Sequence, residues 1–198
     1  SEGFISNSKK VLDKSYHLSY PFVFKNKNKT YMVPETSSNK TVELYECIKF
    51  PDKWNHKLNL LDNVSAVDTT LFFHDKKWWL FTNICENPGA SLNDELFLFY
   101  SSNLISNNWT SHPMNPIVSD VRCSRPAGKI FKKDGRIFRP SQDSSVAYGS
   151  GLNINEILVL SEEKYAEKTI NKIKPDWNSK LLGTHTFSNA KNLTLFDV

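Results

Sequence analysis

The chain has 198 residues, 39% apolar and 13% aromatic, enough for the core of one domain or two small ones and too much for a disordered tail. Its net charge of +4 comes from lysines scattered among Asn, Ser and Asp, with no basic block, so nucleic-acid binding is set aside. The three cysteines, Cys47, Cys85 and Cys123, show no metal-ligand spacing, and no apolar stretch approaches the ~20 residues of a membrane span.

In chain order, residues 3–12 (GFISNSKKVL) read as the third strand of a sheet whose first half is missing. Residues 20–35 (YPFVFKNKNKTYMVPE) give an apolar strand, a polar turn and an aromatic strand. TVELYEC (41–47) adds a third strand, and FPDKWNHKLNLL (50–61) is a polar segment carrying Trp54. The same order returns in DTTLFFHDKKWWLFTN (68–83), ELFLFYSS (95–102) and NLISNNWTSHPMNPI (103–117), with Trp109. It returns again in RPAGKIFKKDGRIFRPSQD (125–143), NEILVLSEE (155–163) and IKPDWNSKLL (173–182), with Trp177. SEEKYAEKTI (161–170) reads as a helical turn inserted between the third strand and its tryptophan, and GTHTFSNAKNLTLFD (183–197) as one more opening hairpin.

A unit of about four strands recurring every ~50 to 65 residues predicts an all-β fold, a β-propeller of four-stranded antiparallel blades. The blades fall at 17–62, 66–118 and 123–182, flanked by half blades at 3–16 and 183–198 in one domain. The alternative is an irregular sandwich, against which the repeated tryptophan argues.

Inner strands of a propeller converge on one channel, so polar residues on the repeated hairpins are expected in a ring. Glu35, Asp68, Gln142 and Asp143 sit on those hairpins, with Tyr20 and Arg139. Arg125 and His185 stand at the opening strands, and His17 precedes the first. Carboxylates that accept hydroxyl hydrogen bonds, with aromatic faces nearby, suit sugar chemistry, and two carboxylates at a suitable separation form an acid–base pair. Asp68 with Glu35 or Asp143 is the candidate catalytic pair; Arg125, Gln142, His185, His17, Tyr20 and Arg139 are candidate substrate contacts. The competing reading is that these groups satisfy strand ends and turns. A buried Arg125 needs a partner, and Asp68, Glu35 and Asp143 are the candidates. Glu156 is expected outside the channel, and His74 and His112 in solvated turns. Trp78 and Trp79, being adjacent, face opposite sides of the sheet. No metal and no cofactor is expected.

The ordered set HLSYPFVF…YMVPE, FPDKW, VDTTLF…WWLF, HPMNPI, SRPAG, FRPSQD and THTF resembles the N-terminal β-propeller domain of plant glucosamine inositolphosphorylceramide transferases and bacterial relatives, some of which carry formyltransferase-like modules. The resemblance covers residues 3–197. That domain is in turn similar to the five-bladed propellers of glycoside hydrolase family 43, which implies the five-bladed type with an incomplete first blade. Those hydrolases carry an Asp base on the first blade, an orienting Asp and a Glu acid. Here Asp68 in VDTT matches the orienting position, while the base and the acid have no match.

The resemblance therefore implies a carbohydrate-binding accessory domain that holds a sugar or nucleotide-sugar beside a transferase or formyltransferase module, in a protein that builds or modifies surface glycans. The alternative is an inverting, furanosidase-like glycoside hydrolase with carboxylates ~6.5–9.5 Å apart; a third reading is a purely structural propeller with an apolar plug. Because the chain starts at Ser1 rather than Met, a fragment or an engineered boundary is expected. With no signal-peptide pattern, the cytoplasm is the expected compartment.

Overall fold

A computed structural model describes residues 9–87, 89–190 and 193–197. Its regular structure is almost wholly antiparallel β. The first sheet runs in order β1 (Ser19–Asn26), β2 (Lys29–Thr36), β3 (Thr41–Lys49), β4 (Lys53–Asp62). The second is β5 (Ala66–His74), β6 (Lys77–Ile84), β7 (Glu95–Ser101) and β8 (Thr110–Ser111), with β9 (Val118–Ser119) also paired to β7. The third is β10 (Phe131–Lys133), β11 (Arg136–Asp143), β12 (Gly151–Leu160), β13 (Tyr165–Ile173); a hairpin of β14 (Phe187–Ala190) and β15 (Leu193–Phe196) follows. Each sheet is a meander joined by short turns, which is the blade of a β-propeller.

The blades pack through alternation. Trp78 and Leu80 of β6 join one apolar cluster with Phe24, Val33 and Leu44 of the first sheet. Trp79 and Phe81 join a second cluster with Ile157 and Tyr165 of the third. Adjacent residues on a strand point to opposite faces, so the two tryptophans are core on both sides, each filling one inter-blade layer.

Two expectations fail in the third sheet. Residues 161–170 form no helical turn: 161–164 make a tight turn and Tyr165–Ile173 is the fourth strand, paired with β12. Tyr165 is 5% exposed in the inter-blade cluster, and Glu167 pairs with the buried Arg139, so tertiary contacts override the helix-forming Glu, Lys and Ala. Trp177 consequently lies beyond the fourth strand and is half exposed. Trp54 and Trp109 do hold equivalent places, each donating Nε1–H to the carbonyl three residues back (Pro51 at 2.8 Å, Ser106 at 2.9 Å). Of the strand expected over 3–12, residues 1–8 lie outside the described set, and 9–18 hold no strand.

Candidate functional site

The three inner hairpins are built alike. Strands β2, β6 and β11 each have eight residues, and the seventh is Glu35, Asn83 and Gln142 respectively. The partner strands β1 and β5 are bulged at the same place. Residues 20–21 sit between the pairs Ser19–Glu35 and Phe22–Val33, and residues 68–69 between Val67–Asn83 and Thr70–Phe81. At each bulge the first residue is forced to positive φ, Tyr20 at 40° and Asp68 at 51°. A non-glycine residue held there costs about 1 to 3 kcal/mol, and bulges re-aim side chains. Here the strain turns Tyr20 and Asp68 toward the channel.

Three sheets meet at Asp68. Its Oδ2 accepts from Arg125 Nε at 2.6 Å and from Gln142 Nε2 at 2.9 Å. Glu35 reaches it from the first sheet, with both the side chain and the backbone N–H of Asp68 within its hydrogen-bonding reach. Burial, then the charge of Asp68, raises the Glu35 pKa above its ordinary value, against the pull of Arg125. Arg125 is the sole cation in direct contact with this pair among the described residues, and its side chain is 12% exposed. Its Nη1 donates to Asn93 Oδ1 at 2.8 Å, and its guanidinium lies 4.8 Å from the Tyr148 ring centroid. The Tyr148 ring in turn stands 5.1 Å from His185, which pairs with Asp197 at 2.9 Å.

These groups border an open cavity of about 820 Å³. Of the expected site residues, Glu35, Asp68, Arg125 and Gln142 meet at its floor, and His17, Tyr20 and His185 also line it. The cavity is lined by polar and aromatic groups and is not plugged by apolar side chains. Arg139 and Asp143 do not line it. Both are an odd number of residues from Gln142 on the same strand, and the two-residue period sends them to the other face. Arg139, 1% exposed, makes a bidentate pair with Glu167 (2.8 and 2.6 Å) and holds the carbonyls of Cys123 and Ser124. Asp143 caps its own turn through Ser145. His112 is 2% exposed rather than solvated, bonded to the Ser161 carbonyl at 3.0 Å, and His74 meets Lys132 at 3.0 Å. Glu156 is set apart from the cavity, near Arg136 and Lys168. Burial pushes the Cys123 thiol up to about 11, so it carries no thiolate at neutral pH.

Sequence reasoning missed Asn83, Asn93 and Tyr148. Asn83 was legible by counting from the turn, since it holds the same place as Glu35 and Gln142; its Nδ2 binds the Leu92 carbonyl at 3.1 Å and so fixes the loop that carries Asn93. Asn93 and Tyr148 lie on loops with no repeat to mark them. Gln142 Oε1 and Asn83 Oδ1 are buried and have no hydrogen-bond partner among the described residues. No group of three or more His, Cys, Asp or Glu side chains suited to a metal ion occurs among the described residues. No described helix is long and apolar enough to cross a membrane.

A family described as glucosamine inositolphosphorylceramide transferase 1, N-terminal, matches residues 7–190. Glucosamine inositolphosphorylceramide transferase 1 of Oryza sativa subsp. japonica is 37% identical over 163 residues, 81% of this chain and 22% of its own length. The Arabidopsis thaliana protein of the same name is 34% identical over 177 residues, 85% of this chain and 23% of its own. The chain thus spans less than a quarter of these relatives. Among solved structures, the GH43_1 enzyme of Xanthomonas citri complexed with xylotriose aligns with a TM-score of 0.61 at 7% identity, covering 90% of this chain and 65% of that one. A thermostable family-43 glycoside hydrolase aligns with a TM-score of 0.58 at 16% identity, over 84% and 57%. At such identities the likeness is one of fold, that of the five-bladed propellers of family 43.

Proposed function

Because the chain belongs to the family of glucosamine inositolphosphorylceramide transferase N-terminal domains, we propose that it is a carbohydrate-binding accessory propeller, working beside a transferase or formyltransferase module of its parent protein in the cytoplasm. It takes a sugar or nucleotide-sugar in the cavity and does not cleave it.

One observation carries this reading. The Glu35 and Asp68 carboxyl groups lie within hydrogen-bonding reach of one another at the cavity floor, where an inverting hydrolase keeps its pair ~6.5–9.5 Å apart to seat a water. Asp68 Oδ2 is further occupied by Arg125 and Gln142, which ties the second sheet to the third. The third carboxylate, Asp143, faces away. What remains exposed for a ligand is a polar rim, His17, Tyr148 and His185, above that floor. Sugar hydroxyls can hydrogen-bond to such a rim, and aromatic edges take the apolar faces of the ring.

Calorimetric titration against monosaccharides and nucleotide-sugars, with chromatography of the recovered ligand, tests the reading. Binding without turnover is expected. Arg125→Ala should weaken it indirectly, by releasing the Tyr148 ring that lies 4.8 Å from its guanidinium. Tyr148→Ala, at an exposed position, should weaken binding with the fold intact. Affinity unchanged in both variants removes the cavity from consideration, and appearance of hydrolysed sugar restores the glycosidase reading.

A further inference from the structure

The end of the propeller away from the cavity has a different character. Glu35 and Asp68 each lie six residues from the turn of their own hairpin, which at ~3.3 Å per residue places those turns about 20 Å from the site. The turns closing the three inner hairpins read KNKNK (25–29), HDKK (74–77) and KKDGR (132–136), eight Lys or Arg against two Asp. In a meander the first and third turns share an end, so the β3–β4 turn adds Lys49 and Lys53 to this face. Contacts between sheets fix the grouping: Lys132 Nζ meets His74 Nδ1 at 3.0 Å, and Lys77 pairs with Glu162 of the β12–β13 turn at 2.8 Å.

Part of this charge is neutralised locally, as by Lys29 with Glu46 at 2.6 Å. Lys25, Lys27, Lys49, Lys53, Lys76 and Lys133 are all exposed and make no ion pair among the described residues. Apolar side chains stand among them. Phe50, at the tip of the β3–β4 turn, is 68% exposed; Ile48 beside it is 58% exposed, and Phe73, next to the β5–β6 turn, 52%.

We propose that this face docks on an anionic bilayer surface. Unpaired lysines spread over three separate sheets are met at once by a plane of lipid phosphates and carboxylates, and Phe50, Ile48 and Phe73 are placed to enter the boundary between headgroups and acyl chains. An acidic protein segment offers the charge but gives the three apolar tips no common burial. Docked this way, the cavity opens toward solution, so its ligand arrives from the aqueous side.

Co-sedimentation of the chain with phosphatidylcholine vesicles, with and without phosphatidylserine, tests the proposal. Pelleting is expected only with phosphatidylserine, and should fall as salt rises. A lysine near such a surface contributes about fivefold to partitioning, so K25S/K27S/K76S/K133S should lose more than about a hundredfold. Phe50→Ser should weaken partitioning several-fold, as removal of one interfacial anchor. Both variants change exposed side chains, and unchanged melting curves would verify the fold. Equal pelleting with neutral vesicles, wild-type pelleting by the quadruple variant, or absence from both pellets overturns the proposal. So does binding of polyglutamate by a chain that ignores vesicles, an outcome that assigns the face to an acidic protein.

Discussion

At the scale of single residues, the half-buried Glu35 and the buried Glu43 behave in opposite ways. Glu35 has its pKa raised by burial and by Asp68, so the folded state binds its proton more tightly than the unfolded chain does. Its contribution to stability is fully present below the ordinary value of 4.5 and is lost as pH rises through the raised value. Glu35→Gln should therefore melt higher than the parent at neutral pH, with the difference vanishing in acid; thermal melts across that range check it, and a constant difference refutes the raised pKa of Glu35. Glu43 is 3% exposed and makes no ion pair among the described residues. Burial alone raises its pKa, but hydrogen bonds from Tyr45, Tyr16, Thr41 and Asn39 together bring it below the ordinary value. That stability is present above 4.5 and disappears as pH falls through the depressed value. Glu43→Gln should lower stability at pH 7, measurable by urea denaturation, and flatten the acid limb of the profile. Tyr16 donates to Glu43 at 2.7 Å, so this carboxylate also ties residues 9–18 to the first sheet.

At the scale of elements, the terminal hairpin depends on a missing side chain. Gly128 has φ +126°, and a Cβ there would meet the Phe187 carbonyl oxygen at 2.0 Å, where β14 bonds to the third sheet through Phe187 N–H to Ala127 O at 2.7 Å. Gly128→Ala should displace β14 and with it the His185 side of the cavity wall; loss of backbone-amide protection confined to 184–197 is the expected signature in hydrogen exchange. The fourth strand of the third sheet shows why local propensity misread 161–170. Isolated, Glu, Lys and Ala favour a helix, but Arg139 of β11 is committed to the interior and needs Glu167, which lies across β12 on β13. Replacing Arg139 with Met leaves Glu167 buried and unpaired, and should cost about 3 to 5 kcal/mol in urea denaturation.

At the scale of the whole molecule, strands β6 and β7 contribute to both apolar clusters, Trp78, Leu80 and Phe97 to one and Trp79, Phe81, Leu96 and Leu98 to the other. Trp79→Ala opens the layer between the second and third sheets and should cost about 3 to 5 kcal/mol. Because Trp78 and Leu80 remain packed on the other face, loss should first appear as weakened packing of β10–β13, seen as faster amide exchange there than in β1–β4. Strain at Asp68 and the two hydrogen bonds on its Oδ2 point the same way: the channel floor is a joint between sheets.

The strands, their turns and their repetition were legible in the chain by itself, because alternation and turn chemistry are local and recur with a fixed period. So was the family, through motifs spread along nearly its full length. Counting from each turn gives the equivalence of Glu35, Asn83 and Gln142. Which polar residues share a cavity was decided only in three dimensions. A one-residue step flips a side chain across the sheet, which separated Gln142 from Asp143, and contacts across sheets chose Asp68 rather than Glu35 or Asp143 as the hydrogen-bonded partner of Arg125. The lysines that look scattered in sequence become one face for the same reason: equivalent turns, far apart along the chain, are brought side by side by the radial packing of the blades.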